Sequence, residues 1–333
     1  MTTMKAAVIN QYGNADVFEI MQLAQPKPGP NDVMVKVAYA GVNPADWKFR
    51  EGLNQQYFSV EFPFILGFDA AGVVVATGEE VCQFAVGDRV FTPSNLGQGQ
   101  PGSYAEYVLA SEDRVALIPE SLSFMSASAI PVAALTGWQA LFASDKADLQ
   151  PGQRILINGA SGGLGSFAVQ FAKWAGAEVA TTCSTANLDY VSGLGADLPI
   201  DYKTHNIADE IAKWAPEGVD IILDAVGCGS LADPFSLLKP GGKLVSIATL
   251  VGDGDIEADM AEASKHGVSK IFVIMTDVDC SKDLSKIAEL VASGDITMPP
   301  IEPFELSDIS AAHRKVESGR VRGKLVLRVA GAL

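Results

Sequence analysis

Seven residues, Gly159-Ala-Ser-Gly-Gly-Leu-Gly165, hold the clearest chemistry in the chain, and they offer backbone rather than side chains. The apolar run Arg154 to Asn158 before them reads as a buried parallel strand. Phe167, Ala168, Phe171, Ala172 and Ala175 follow at helical spacing, so a helix begins near Gly163, and a second strand covers Glu178 to Thr182. Strand, glycine turn, helix and strand make half of a dinucleotide-binding unit. Glycine lets the backbone approach a pyrophosphate, whose charge sits at the positive end of the helix. The contacts expected there are Ala160, Ser161, Gly162, Gly163 and Leu164.

The second strand bears on which dinucleotide. A sheet that binds NAD usually ends this strand in an acid that accepts from the ribose 2′-hydroxyl. Here the position falls in Thr181-Thr-Cys-Ser-Thr185, and no acid follows before Asp189. Ser184 and Thr185 are expected to be free to donate to a 2′-phosphate, with Tyr202 and Lys203 reaching the adenosine end, which favours NADPH over NADH. The plainer alternative makes Ser184 a helix cap and Lys203 a solvated cation. Ligands of such sheets bind outside the carboxyl ends of the strands. That adds Val226, Ala248 and Thr249, with Val251-Gly-Asp-Gly-Asp255 as a loop over the site. S-adenosylmethionine is the competing ligand, because Leu238-Lys-Pro-Gly-Gly-Lys-Leu244 also suits a methyltransferase-like sheet. A β-rich first part and a regular crossover pattern weigh against it.

The surrounding elements must position these groups. At 333 residues and 48% hydrophobic content, the chain is long enough for two domains with sizeable cores. A formal charge of −16 with no basic run makes nucleic acid and anionic membrane poor partners. No apolar stretch approaches the roughly 20 residues that span a bilayer, and the start, MTTMKAAVIN, has no signal-like segment. The expectation is a soluble cytoplasmic protein. Cys82, Cys183, Cys228 and Cys280 are scattered without a C-x-x-C pair and are expected to be buried free thiols. Residues 1–125 read as strands at 5–9, 32–38, 70–76, 88–91 and 104–108, which suggests a small, partly open barrel. Beyond a helix at Pro131 to Phe142, strands are expected near 154–158, 178–182, 197–200, 219–224, 243–248 and 270–275. Six parallel strands with crossover helices make a doubly wound sheet. The tail returns to the earlier style, so a discontinuous first domain (1–126 and 278–333) is expected around a dinucleotide domain at 127–277.

Several ordered segments carry a family likeness over nearly the whole chain: Gly41-Val-Asn-Pro-Ala-Asp-Trp-Lys48, Leu66-Gly-Phe-Asp-Ala-Ala-Gly72, Val86-Gly-Asp-Arg-Val90, Gly102-Ser-Tyr-Ala-Glu-Tyr107, Ala134-Leu-Thr-Gly-Trp-Gln-Ala140, Asn158 to Gly165, Leu194-Gly-Ala-Asp197 and Arg322-Gly-Lys-Leu-Val326. The sequence resembles the medium-chain dehydrogenase/reductases, and within them the zinc-independent, quinone oxidoreductase-like enzymes. The resemblance implies a GroES-like β-barrel catalytic domain beside a six-stranded Rossmann sheet, an α/β architecture. Zinc-dependent relatives carry a cysteine and a Gly-His-Glu where this chain has Asn43 and Gly67-Phe68-Asp69, and they have a four-cysteine loop where Thr92 to Gly102 has none. No metal is expected, since His205, His266 and His313 all fall outside the expected cleft.

Without zinc, hydrogen-bond donors or a cation must stabilise charge developing on oxygen. The implied reaction passes hydride from NADPH to a quinone or to the β-carbon of an enal or enone. Asn43, Lys48 and Thr136 are the catalytic candidates by resemblance, and Lys324 joins the cofactor set. Asp46 reads as a cap for a short helix starting at Trp47. Trp47, Tyr57 and Phe68 are candidates for an apolar substrate cleft, and a homodimer is expected through the 269–275 edge strand. Two other readings stand beside this one: a non-catalytic NADPH-binding protein, and an enoyl-thioester reductase of a biosynthetic pathway.

Overall fold

Apolar segments at both ends of the chain fold as mostly antiparallel strands, with Ile301–Glu305 and Lys324–Arg328 the parallel exception, while the middle alternates strand and helix. The computed structural model describes residues 2–53, 55, 60–94, 100–227, 229–247 and 256–330. The chain divides into two units: Met1–Leu135 with Thr276–Gly294 and Pro300–Leu333, and Thr136–Met275 with Asp295–Pro299.

The first unit opens with β1 (Thr3–Ile9), β2 (Phe18–Ala24), β3 (Asp32–Val42), α1 (Pro44–Arg50), β4 (Phe64–Ile65), β5 (Asp69–Thr77), β6 (Arg89–Pro93), β7 (Tyr107–Ser111), β8 (Ala116–Leu117) and α2 (Phe124–Ser128). α3 (Pro131–Phe142) leads into the second unit. That unit comprises β9 (Arg154–Asn158), α4 (Gly163–Trp174), β10 (Glu178–Cys183), α5 (Leu188–Gly193), β11 (Leu198–Asp201), α6 (Ile207–Trp214), β12 (Val219–Asp224), β13 (Leu238–Ile247), α7 (Ile256–Lys265) and β14 (Ser269–Val273). The chain then returns to the first unit with α8 (Cys280–Ser293), β15 (Ile301–Glu305), α9 (Ile309–Glu317) and β16 (Lys324–Arg328).

In the first unit, β2-β1-β4 form one small sheet, and β15-β16-β3-β5-β6-β8 form another with β7 on β3. β16 runs antiparallel to β3 with Leu325 opposite Val42, and β3 to β5 with Gly41 opposite Asp69. These registers bring residues far apart in sequence together at one end of the strands. Residues 104–105 do not extend β7 as the alternation suggested. Ala105 bridges to Ala6, and the Tyr104 amide donates to the Leu66 carbonyl.

The second unit is a six-stranded parallel sheet in the order β11-β10-β9-β12-β13-β14. Ile155, Leu156, Ile157, Phe167, Phe171 and Ile222 are fully buried between strands and helices. Strand order reverses between β9 and β12, the place where such sheets bind ligands. β13 starts five residues before the expected 243 because Leu238 pairs with Val219 across a bulge. The thiols of Cys183 and Cys280 are buried, but Cys82 is exposed, contrary to expectation, with its amide donating to the Glu112 carboxylate. Cys228 lies outside the described residues. Among the described residues no helix is long and apolar enough to cross a membrane.

Candidate functional site

In the first unit the sheet registers gather Asn43, Asp69 and Lys324, all at most 4% exposed. Asn43 Nδ2 donates to Asp69 Oδ2 at 2.8 Å. The Lys324 ammonium donates to Asn43 Oδ1 at 2.5 Å, to Asp69 Oδ2 at 3.2 Å and to the Val42 carbonyl at 3.4 Å. The other Asp69 oxygen accepts from the Val132 amide in the first turn of α3. Two glycines make room. A Cβ at Gly41 would lie 2.6 Å from Asp69 Oδ2, and one at Gly67, where φ is +104°, would lie 2.5 Å from the Tyr104 ring.

Asp46 lies against this cluster. α1 starts at Pro44 rather than Trp47, because proline suits the first helical position. Asp46 therefore sits in the first turn, where its Oδ2 accepts from the Asn43 amide at 2.7 Å. Its Oδ1 is buried with no hydrogen bond, as are the Tyr104 hydroxyl, Ser103 Oγ and His313 Nε2. Burial first, then the nearby Asp69 charge, pushes the Asp46 carboxyl up to about 7 against the pull of the Asn43 amide. Burial beside Asp46 also raises the Tyr104 phenol well above its ordinary range. Tyr104 meets His313 edge-on, with ring centroids 5.7 Å apart. His313 Nδ1 faces Arg50 Nη1 at 3.2 Å, and burial with that cation pushes the imidazole down to about 3. The fully buried Arg50 guanidinium pairs with Glu317 and Glu51.

In the second unit, the turn after β9 leaves the start of α4 open. Gly159 has φ +87°, and a Cβ at Gly165 would lie 2.3 Å from the Gly159 carbonyl, so glycine lets α4 pack close to the strand end. The N-cap is Gly162, which has no side chain to cap the helix, so first-turn amides remain for an anion. A side-chain web holds the strand ends: Thr182 donates to Asn158 at 2.5 Å, Asn158 to Asp224 at 2.8 Å, and the Val226 and Gly227 amides to the same Asp224 oxygen. Asn187 donates to both Ser161 and Ser184 at 3.1 and 3.2 Å. The turn thus fits a dinucleotide pyrophosphate.

The chain matches the family model described as "Alcohol dehydrogenase GroES-like domain" over residues 29–120 and "Zinc-binding dehydrogenase" over 194–327. It is 33% identical to a 2-methylene-furan-3-one reductase of Solanum lycopersicum, across 97% of this chain and 79% of the relative. The chain is a medium-chain dehydrogenase/reductase. A chloroplastic NADPH-dependent alkenal/one oxidoreductase of Arabidopsis thaliana is 32% identical, again over 97% of this chain and 79% of its own. The solved quinone oxidoreductase of Coxiella burnetii superposes with a TM-score of 0.86 at 30% identity, covering 99% of this chain and all of that one. Like these relatives, this medium-chain dehydrogenase/reductase is an oxidoreductase by family.

Zinc does not suit the donors at Asn43 and Asp69. An ammonium already lies between them, and a dication beside it would meet repulsion. Among the described residues no group of three or more His, Cys, Asp or Glu could hold a metal ion.

The remaining candidates are more scattered. Lys48 lies over the half-buried Trp47 ring, 5.7 Å from its centroid. Phe68 and Thr136 are buried, and Val226 is 58% exposed at the end of β12. Tyr202 and Lys203 are exposed after β11. Tyr57, Ala248, Thr249 and the Val251 to Asp255 loop lie outside the described residues. Thr185 departs from expectation. Its hydroxyl is not free, because it donates to Asp201 at 2.6 Å, and this bond holds the Asp201 carboxyl below its ordinary range. Asp201 ends the neighbouring strand opposite Cys183, so only the sheet pairing brings it to Thr185. Sequence reasoning also missed Tyr104, Arg50 and His313. Tyr104 lies in the family-like segment Gly102 to Tyr107, but nothing in the sequence pattern marks Arg50 or His313.

Proposed function

We propose that the chain is a zinc-independent oxidoreductase that transfers hydride from NADPH to a quinone or to the β-carbon of an α,β-unsaturated carbonyl. The observation that carries this reading is the Lys324 ammonium, which lies between Asn43 and Asp69 and supplies fixed positive charge without a metal. Two relatives described as reductases of an enone-like substrate and of alkenals or alkenones support the substrate class.

NADPH, when bound, supplies the hydride. Ala160, Ser161, Gly162, Gly163 and Leu164 would surround its pyrophosphate at the start of α4, with the Ser161, Gly163 and Leu164 amides as donors, since those of Ala160 and Gly162 already serve the Thr182 and Gly159 carbonyls. Ser184 accepts from Asn187 and keeps its own proton to donate, so Ser184, Tyr202 and Lys203 would favour NADPH over NADH without Thr185. Lys324 fixes Asn43, which retains a second amide hydrogen for an oxygen that gains charge. Lys48 and Thr136 are the other candidate catalytic groups, and Trp47, Tyr57 and Phe68 would give the substrate an apolar wall. Mixing EDTA-treated protein with NADPH or NADH and a panel of quinones, enals, enones and enoyl thioesters tests this. Cofactor oxidation with quinones or enones and a higher rate for NADPH are expected. Turnover of enoyl thioesters alone would replace the substrate class, and no turnover with tight NADPH binding would leave a cofactor-binding protein.

Pairing through β14 at the sheet edge is proposed to make a homodimer. Val273 is buried within its own sheet and a poor place to test it, whereas Ile274 just beyond is 53% exposed. An Ile274→Lys variant should sediment as a monomer; an unchanged dimer would place the interface elsewhere.

A further inference from the structure

Two carboxyls and one ammonium share the dry end of β3, β5 and β16, and they are not equally supplied with donors. Asp69 accepts from the Asn43 side chain, the Lys324 ammonium and the Val132 amide. Asp46 has one hydrogen bond of normal length, from the Asn43 amide, and its second oxygen is buried near the Tyr104 phenol without one. Both residues are 0% exposed. One ammonium balances one carboxylate, and a second buried negative charge with a single donor is costly. The proton therefore belongs on Asp46, even though the neighbouring Tyr104 phenol favours the ionised form.

We propose that Asp46 is a neutral buried acid whose proton sets the net charge of the Asn43–Lys324–Asp69 cluster, a positioning residue whose ionisation slows hydride transfer. This role rests on the proposed reductase activity. The groups facing Asp46 are Asp69 from β5, Lys324 from β16, Tyr104 from the segment before β7, and the Asn43 amide of its own turn. Arg50 and Asp69 act on Tyr104, and Arg50 alone on His313 behind it. Losing the proton would leave the cluster with a net negative charge. That charge opposes the negative charge arriving on a substrate oxygen and draws on Lys324, loosening its grip on Asn43. Burial and the Asp69 charge put this ionisation at about 7.

Two readouts test the assignment. With a responsive quinone or enone, kcat of the parent protein should fall about tenfold per pH unit above about pH 7. Asp46→Asn, a neutral isostere, should lack that falling limb whatever its absolute rate. Tyr104→Phe removes a group that favours the ionised acid and should move the limb to higher pH. A limb that persists unchanged in Asp46→Asn overturns the proposal. The second readout needs no substrate. The infrared carbonyl stretch of a protonated carboxylic acid should be present in the parent at about pH 5.5, vanish as the pH rises through about 7, and be absent from Asp46→Asn. If that band is missing from the parent, the acid is already ionised and the proposal fails. If the band behaves as expected but no substrate turns over, the reductase reading fails alone.

Discussion

Replacing Asp46 with asparagine should change how stability follows pH, and the burial of this carboxyl sets the sign and the order of magnitude of that change. The folded state holds the Asp46 carboxyl at about 7, against an ordinary value of 3.8. Between those values the folded protein keeps a proton that the unfolded chain has released, so this group lowers stability as pH rises from about 4 to 7. His313 does the opposite. Its imidazole is held at about 3 against an ordinary 6.5, so the unfolded chain takes up a proton that the folded state refuses. Stability from that group rises with pH from about 3 to 6.5 and is lost in acid. Each slope is about 1.4 kcal/mol per pH unit. With opposite signs they cancel between about pH 4 and 6.5 in the parent protein. Asp46→Asn removes one slope. Its unfolding free energy relative to the parent should therefore climb by about 4 kcal/mol from pH 4 to pH 7 and stay level above. His313→Asn, whose amide oxygen can still accept from Arg50, should fall relative to the parent by about 3 kcal/mol from pH 4 to 6.5. Urea unfolding at closely spaced pH values measures both differences, and taking them against the parent cancels every other titration. A difference for Asp46→Asn that does not vary with pH would refute the reasoning, because an Asp46 that ionises normally contributes no such slope.

Three further outcomes are expected. Lys324→Met leaves Asp69 as a buried uncompensated charge and should cost about 3–5 kcal/mol of unfolding free energy, part of it recovered in the double variant with Asp69→Asn. Gly165→Ala would put a Cβ 2.3 Å from the Gly159 carbonyl and 2.7 Å from Ala160 Cα, pushing α4 off the strand end. Dinucleotide affinity, followed by nicotinamide fluorescence, should drop roughly tenfold or more. Ser184→Ala and Lys203→Ala should each weaken NADPH and leave NADH untouched, whereas Thr185→Val should shift neither preference because its hydroxyl already serves Asp201; equal losses for both cofactors would move the 2′-phosphate away from these residues.

The sequence by itself determined the elements that rest on local periodicity. The glycine turn, the helix from Gly163 and the strand at 154–158 follow from residues within one stretch, and the structure places α4 and β9 there. The six-stranded parallel sheet follows from the same alternation repeated along the chain. Local pattern failed where a side chain's partner lies on another strand. Thr185 looked available until sheet pairing set Asp201 beside it, 16 residues on. Lys324 and Asn43 are 281 residues apart, and Arg50 and Glu317 267 apart. Nothing in the spacing of either pair announces a contact. Tertiary structure alone decided that Asp46, which looked like a simple helix cap, is sealed from water next to a second carboxylate, and burial together with that neighbour gives an ordinary aspartate an ionisation near neutral pH. Charge and hydrogen-bond supply are properties of a place in the fold, and the registers of β3, β5 and β16 create that place.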